Sequence, residues 1–211
     1  MSGEKNMKIE ISPYDIKNLK PITNSRHKGN FGSCYLFFNE ALKYLDMDKE
    51  ILKKIDIEKR LDKLSKIRID GVSLPINLVY ANDKFTGYTM PYYNGPNLKN
   101  ILLKYKLGKI NITKEDIEKA YNIILNKIQT LSYNKIKIND IKPDNIIYYN
   151  GDFKIVDCDF YQVVDDISLD DILKYNLKLL DEAYKKVMKD YFDSYKDDDV
   201  IKKEIRMWYW W

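Results

Sequence analysis

The sequence predicts an α+β protein whose first half is a small antiparallel sheet with one main helix and whose second half is mostly helical. Short apolar and aromatic runs that alternate with turn residues fill the first half, and longer segments with helical apolar spacing fill the second. A Gly/Pro break at residues 94–96 separates them. We therefore expect two lobes, residues 1–93 and 94–211.

Two hairpins and one helix are predicted in the first half. The apolar runs on either side of Asn39 form one hairpin, and those around Asn82 and Asp83 form another, because both turns suit Asn and Asp. Between them, the helix is predicted over residues 47–66 from four apolar residues at an imperfect helical period: Ile51, Ile55, Leu61 and Leu64.

Four helices and a further hairpin are predicted in the second half. A short helix covers residues 97–105, a longer one begins at a capping box at Thr113 and Asp116, and a third begins at Ser168 and continues to about residue 192. Two short apolar strands, 146–149 and 153–156, are joined by Asn-Gly-Asp. A last helix is expected before the terminal aromatic residues 208–211, which we expect to dock on the protein's own core.

Composition excludes several classes of function. The 36 Lys and Arg residues are interleaved with 32 Asp and Glu residues, so the net charge of +4 forms no basic stripe and nucleic acid is not an expected partner. No apolar run is long enough for a membrane span, and the first residues lack the apolar core of a signal peptide. The two cysteines predict free thiols and a cytoplasmic protein, with delivery into another cell as an effector left open.

The segment 138–160 gathers the residue types that phosphoryl transfer needs. Divalent metal is held by hard oxygen ligands, which Asn145 and Asp157 can supply. A carboxylate must orient the attacking hydroxyl, and a cation must offset charge on the transferred group. Asp140 and Lys142 are the candidates for these two tasks.

These residues resemble the motifs of the eukaryotic-like protein kinases. The run Asp140-Ile-Lys-Pro-Asp-Asn145 is similar to the catalytic loop of the serine/threonine kinases, and Asp157-Cys-Asp resembles the metal-binding element that follows it. The resemblance implies ATP and Mg²⁺ as cofactors, with Mn²⁺ as an alternative metal. It makes Asp140 and Lys142 catalytic and Asn145 and Asp157 the metal ligands.

The resemblance extends upstream to nucleotide-binding elements. Residues 27–35 are similar to the glycine-rich loop, with His27 in place of its first glycine, and Glu-Ala-Leu-Lys at 40–43 resembles the strand with the phosphate-binding lysine. Residues 88–95 resemble the hinge, with Met90 as gatekeeper, and Glu58, with Glu50 as alternative, would pair with Lys43. The implied nucleotide contacts are Gly29, Asn30, Phe31, Gly32, Cys34, Ala41, Lys43, Glu58, Met90, Pro91 and Tyr93.

Two departures from the family limit the resemblance, which covers about residues 20–160. Asn139 stands where the family has an arginine that pairs with a phosphorylated activation loop. Only some fifty residues follow Asp159. We expect a minimal serine/threonine protein kinase without that control, acting on protein substrates with the help of a partner that activates it or supplies the missing substrate platform. A small-molecule phosphotransferase of the aminoglycoside/choline kinase type and a pseudokinase that only binds nucleotide are the alternatives.

Overall fold

The computed structural model describes residues 8–22, 32–45, 56–110 and 113–188, except for the side chains at 114, 117 and 186–188. Its first half contains six strands and two helices within these ranges. In chain order they are β1 Lys8–Glu10, α1 Pro13–Asn18, β2 Lys20–Pro21, β3 Ser33–Phe37, β4 Glu40–Tyr44, α2 Ile57–Ser65, β5 Leu78–Ala81 and β6 Lys84–Pro91.

The six strands form one twisted sheet in the order β1-β5-β6-β4-β3-β2. All neighbouring strands are antiparallel except β1, which runs parallel to β5. Both predicted hairpins are present. Asn82 and Asp83, which link β5 to β6, have φ values of 52° and 57°, a left-handed backbone that Asn and Asp adopt more readily than most residues.

The second half is mostly helical, as predicted. Its elements are α3 Leu98–Lys106, α4 Lys114–Tyr133, β7 Ile136–Lys137, a 3-10 turn Pro143–Asn145, β8 Ile146–Tyr149, β9 Asp152–Ile155, β10 Gln162–Val163 and α5 Leu169–Met188. Strands β8 and β9 form the predicted hairpin, and β7 pairs with β10. The predicted α+β class is therefore confirmed.

Helix starts are fixed by local capping, as the sequence indicated. The Thr113 hydroxyl accepts from the Asp116 N–H at 3.2 Å, and the Asp116 carboxylate accepts from the Thr113 N–H at 2.9 Å. Ser168 caps α5 by accepting from the Asp171 N–H at 3.1 Å. In α2, Leu61 and Leu64 are buried as predicted; residues 46–55, with Ile51, Ile55 and Glu50, lie outside the described residues.

One apolar core extends from the large sheet through α2 to the long helices. It joins Tyr88 of β6 and Leu61 of α2 to Ile128 of α4 and Leu180 of α5. A smaller cluster, which contains Ile16 and Leu42, packs α1 against the opposite face of the sheet. Because the main core is continuous, the division into lobes at residue 93 stays a prediction. Within the described ranges, no helix is both long and apolar enough to cross a membrane.

Candidate active site

A row of three side chains crosses the centre of the large sheet. Cys34 of β3 and Tyr88 of β6 are the register partners of Lys43 on β4. Residues directly opposite one another in antiparallel strands project from the same face, so the three side chains lie together. Lys43 is 5% exposed and Tyr88 is 1% exposed, which means that this row is inside the protein.

The Lys43 ammonium joins the sheet to the segment after β9. It lies 2.5 Å from an Asp157 carboxylate oxygen and is also ion-paired with Asp159. The Tyr88 hydroxyl donates to the other oxygen of Asp159. Residues 114 and 116 positions apart in the chain therefore meet at one buried point.

The β8–β9 hairpin brings Asn145 and Asp157 to the same end. Ile146 opens β8 opposite Ile155, which closes β9, so the residues that flank the hairpin are neighbours. The Val156 N–H donates to the Asn145 carbonyl at 2.9 Å and fixes this arrangement. Asp157 has a left-handed backbone with φ of 62°, a conformation that is sparsely populated by residues other than glycine and is often found at functional sites.

Asp140 and Lys142 lie next to Asn145 in the turn before β8. The Lys142 ammonium donates to Asp140 at 2.7 Å, and the Asn145 amide nitrogen donates to the same carboxylate at 3.4 Å. The 3-10 turn closes through the Asn145 N–H, which donates to the Lys142 carbonyl at 2.9 Å. Asp140, Lys142 and Asn145 are thus linked by hydrogen bonds, and the bond from the Val156 N–H to the Asn145 carbonyl brings the neighbouring Asp157 close to them.

Asn176 of α5 anchors the chain just before Asp140. Its side chain is fully buried, its oxygen accepts from the Ile138 N–H at 3.0 Å, and its nitrogen donates to the Ile136 carbonyl at 2.8 Å and the Ser132 hydroxyl at 2.9 Å. The amide therefore pairs backbone groups that would otherwise be buried without partners. It holds the start of the 138–145 segment against α4 and α5.

The pKa shifts at the buried point follow from burial and ion pairing. Burial alone would lower the pKa of Lys43, but the carboxylates of Asp159 and Asp157 outweigh it and raise that pKa. Burial opposes ionisation of Asp157, yet Lys43 holds its pKa below the ordinary value. Lys43 is therefore a cation and Asp157 an anion at neutral pH. Burial raises the pKa of Asp159, although Lys43 opposes that shift.

Asn145 and Asp157 fit the role of ligands for a small divalent cation. The Asn145 amide nitrogen is committed to Asp140, which leaves the amide oxygen as the donor atom, and the Asp157 carboxylate remains 40% exposed. Across the described residues, no group of three His, Cys, Asp or Glu side chains is arranged to hold a metal. Mg²⁺ is often bound through one or two protein oxygens together with phosphates and water, so two ligands are sufficient for this chemistry.

The predicted glycine-rich loop is described only at its end. Gly29, Asn30 and Phe31 lie outside the described residues, whereas Gly32 is buried beside β4 with φ of 151°. A Cβ on Gly32 would collide with the Tyr44 carbonyl oxygen, so close backbone packing already requires glycine there. Cys34 lies beside Lys43, and burial raises the pKa of its thiol to about 11.

The predicted hinge residues follow directly from the central strand. Ala41 and Met90 are register partners, and both are buried. The Pro91 carbonyl accepts from the Ser73 hydroxyl at 3.0 Å, which leaves its second lone pair for another donor. Tyr93 is half-buried, with its ring centre 5.6 Å from that of Tyr149.

Backbone contacts fix the segment just beyond the hinge to the β8–β9 hairpin. A Cβ on Gly95 would collide with the Tyr148 carbonyl oxygen. The Tyr148 N–H donates to the Pro96 carbonyl at 3.0 Å. The hairpin that carries Asn145 and Asp157 at its end is therefore joined directly to the connection between the two halves.

The predicted partnership of Glu58 with Lys43 is wrong for this structure. Glu58 is exposed at the start of α2, and its carboxylate accepts from the Tyr80 hydroxyl at 2.8 Å. The helix instead carries Arg60, whose guanidinium lies 5.9 Å from the ring centre of Phe160 and interacts electrostatically with the neighbouring Asp159. Glu58 and Arg60 are two positions apart and so lie on well-separated faces of the helix. The helix therefore presents a cation, not an anion, on the side that faces the site.

Three residues of this site were missed by sequence reasoning. Asp159 is part of the Asp157-Cys-Asp motif, but in an irregular segment the sequence does not indicate which way a carboxylate side chain points. Tyr88 was read only as the start of the hinge, and its register with Lys43 depends on pairing between strands far apart in the chain. Asn176 interrupts an apolar helix face, and such a polar residue is the one signal that could have marked it.

Comparison with known proteins gives no family assignment. No protein-family model matches the chain, and no curated protein matches it.

Proposed function

We propose that the protein is an ATP-dependent phosphotransferase of two lobes that transfers a phosphoryl group to serine and threonine hydroxyls of proteins. The observation that carries this proposal is the 2.5 Å contact between Lys43 and Asp157, two residues that the motifs assign to the same triphosphate. Asn145, Asp140 and Lys142 are connected to this contact through the end of the β8–β9 hairpin. Four of these motif residues lie in the segment 140–157, and the contact joins that segment to Lys43, 114 positions from Asp157 in the chain.

Lys43 and Asp157 would bind the nucleotide in different ways, one directly through phosphate oxygens and the other through Mg²⁺. Lys43 is a buried cation on a central strand of the large sheet, and such a group can bind phosphate oxygens. Asp157 is partly exposed and, with Asn145, would hold Mg²⁺, which neutralises charge that develops on the phosphate oxygens. In the structure, the Lys43 ammonium is itself the cation that pairs with Asp157. Nucleotide binding requires Lys43 to turn from Asp157 towards phosphate.

Asp140 and Lys142 serve the acceptor side of the reaction. Both side chains are partly exposed, at 36% and 47%, so an acceptor hydroxyl can reach them. The Asp140 carboxylate accepts the hydrogen bond of that hydroxyl and aims its oxygen at the phosphorus. Lys142, paired with Asp140 at 2.7 Å, offsets the negative charge of the transferred group.

The Asn139 side chain supports a site that needs no phosphorylated loop. Its nitrogen donates to the Phe160 carbonyl at 2.5 Å and so ties the segment before Asp140 to the segment after Asp159. A direct tie of this kind performs the task that a phosphate–arginine contact would perform. We expect phosphatase treatment of the purified protein to leave its transfer rate unchanged. A large loss of activity after that treatment would contradict this part of the proposal.

The decisive experiment follows labelled γ-phosphate from ATP. The protein is incubated with Mg²⁺ and labelled ATP in the presence of generic acceptor proteins, and separately with small alcohols. We expect label on serine and threonine of proteins. Lys43→Met and Asp140→Asn should each reduce the rate about 10²- to 10³-fold, since each removes a preorganised group. Lys84→Met is the matched control, because Lys84 is exposed on β6 of the same sheet.

The location of the label separates the candidate functions. Label on small alcohols alone would favour a small-molecule phosphotransferase, and full activity of Lys43→Met would refute the assignment of the site. One observation favours a nucleotide-binding module without transfer: Lys43 is engaged by two carboxylates at once. Stabilisation by Mg·ATP without any turnover would select that alternative.

A further inference from the structure

The Asp159 side chain is more deeply buried than that of Asp157. It is 2% exposed, and its two carboxylate oxygens are used by different partners, Lys43 on one side and Tyr88 on the other. A buried carboxylate is stable only when it is paired and hydrogen-bonded, and Asp159 meets both conditions. The Asp157 carboxylate, at 40% exposure, is free to turn towards solvent or a cation.

The sheet register explains why Lys43 and Tyr88 reach the same carboxylate. They are opposite one another on β4 and β6, and both are buried on the same face. Their donor groups form a fixed pair on a rigid surface, and Asp159 lies against that pair. The position of the Lys43 ammonium is therefore set by Asp159 together with the sheet.

In the part of the chain that the structure describes, helix α2 supplies no anion to Lys43. The Glu58 carboxylate accepts from the Tyr80 hydroxyl instead, and Arg60 of the same helix interacts electrostatically with Asp159. The Nε and Nη2 atoms of Arg60 are shielded from solvent and have no hydrogen-bond partner among the described residues. Its guanidinium lies 5.9 Å from the ring centre of Phe160, the residue after Asp159. Arg60 adds a second positive charge beside Asp159 and helps to keep that carboxylate in place.

We propose that Asp159, held by Tyr88, is the positioning residue that directs Lys43 at the triphosphate, in place of a glutamate from helix α2. When Lys43 turns away from Asp157, it keeps its ion pair with Asp159. This remaining contact fixes the direction in which the ammonium points. This inference rests on the proposed function, since it assigns the support of the phosphate-binding lysine.

The test compares nucleotide use by Asp159→Asn, Tyr88→Phe and Glu58→Gln. Asp159→Asn should raise the KM for Mg·ATP about tenfold while the KM for the acceptor protein stays unchanged, because only nucleotide binding depends on the direction of Lys43. Tyr88→Phe should raise the KM for ATP by a smaller factor, and Glu58→Gln should leave it within about twofold of the wild type. Asp165→Asn is the matched control, since its carboxylate is 76% exposed and pairs only weakly with Lys63 at 3.3 Å.

Affinity for a fluorescent ATP analogue with Mg²⁺ provides a second measurement that needs no turnover. The same order of effects in affinity would support the role of Asp159 even in a protein that transfers no phosphate. Wild-type KM and affinity in a folded Asp159→Asn protein, or a large effect of Glu58→Gln, would overturn the inference and leave the proposed function intact. Absence of nucleotide binding by the wild type would overturn both. Tyr88→Phe, which deletes one hydroxyl, decides the matter if Asp159→Asn does not fold.

Discussion

At the scale of single residues, the site depends on carboxylates in contrasting surroundings. Asp159 is enclosed, whereas the side chains of Asp157 and Asp140 are partly exposed, at 40% and 36%. This contrast fits the tasks proposed for them: support of Lys43 for the enclosed carboxylate, and contact with a metal or an acceptor hydroxyl for the two partly exposed ones.

Asp152 offers a pH test of an ion pair outside the site. Lys127 of α4 lies 3.1 Å and Lys154 lies 2.7 Å from the Asp152 carboxylate. The ion pair with Lys127 connects the β8–β9 hairpin to α4. Burial opposes ionisation of Asp152, but the hydrogen bonds from Lys154 and Lys127 outweigh it and lower its pKa. A depressed pKa means that the stabilisation is complete above the unfolded-state pKa, near 3.9, and is lost as pH falls through the folded-state pKa.

We therefore expect Asp152→Asn to lower the free energy of unfolding by roughly 1 kcal/mol at pH 7. The gap between wild type and variant should narrow at pH 3. Thermal unfolding at the two pH values measures it. Asp70→Asn is the control, since Asp70 approaches the same Lys154 at 3.8 Å but is 95% exposed. A gap that is equal at both pH values would show that the pair does not stabilise the hairpin through charge.

At the scale of elements, structural features that depend on neighbouring residues were predicted well, and features that depend on distant segments were not. The capping box at Thr113, the Ser168 cap, the Asn-Asp turn and the β8–β9 hairpin depend on residues close in sequence, which is why the sequence revealed them. Strands β7 and β10 are two residues each and exist only because distant segments meet. Periodicity located the buried face of α2 but could not tell which polar residue, Glu58 or Arg60, would lie on the side of the site.

Helix α5 supports the site through Asn176, and its substitution should be costly. In Asn176→Leu the Ile138 N–H and the Ile136 carbonyl would lose their partners while still buried. Each unpaired buried group costs about 1 to 3 kcal/mol, so we expect a loss of about 3 kcal/mol in the free energy of unfolding. Urea unfolding measures this loss. Lys174→Leu, at an exposed position of the same helix, should change stability by less than about 0.5 kcal/mol.

At the scale of the whole molecule, the site is where the two halves of the chain meet. Lys43 and Tyr88 come from the sheet, while Asp157 and Asp159 follow the hairpin of the second half. The continuous apolar core holds the same halves together at a larger number of points. A ligand that bridges Lys43 and Asp157 should for this reason stabilise the entire fold.

We expect Mg·ATP at a hundred times its Kd to raise the free energy of unfolding by about 2.7 kcal/mol. For a chain of 211 residues this corresponds to a rise in Tm of roughly 5 to 10 °C. Differential scanning fluorimetry measures it. The rise should vanish in Lys43→Met and should no longer depend on Mg²⁺ in Asp157→Ala. An equal rise in both variants would place the nucleotide elsewhere on the protein.

The position of Cys34 next to Lys43 has a consequence for inhibitors and oxidants. With a pKa of about 11, its thiol is almost entirely protonated at neutral pH, and the thiolate is the form that attacks electrophiles. Alkylating compounds aimed at this cysteine should react slowly, and mild peroxide should leave it unmodified. A reversible ligand that competes for the ammonium of Lys43 is therefore a better starting point for blocking this protein than a covalent one.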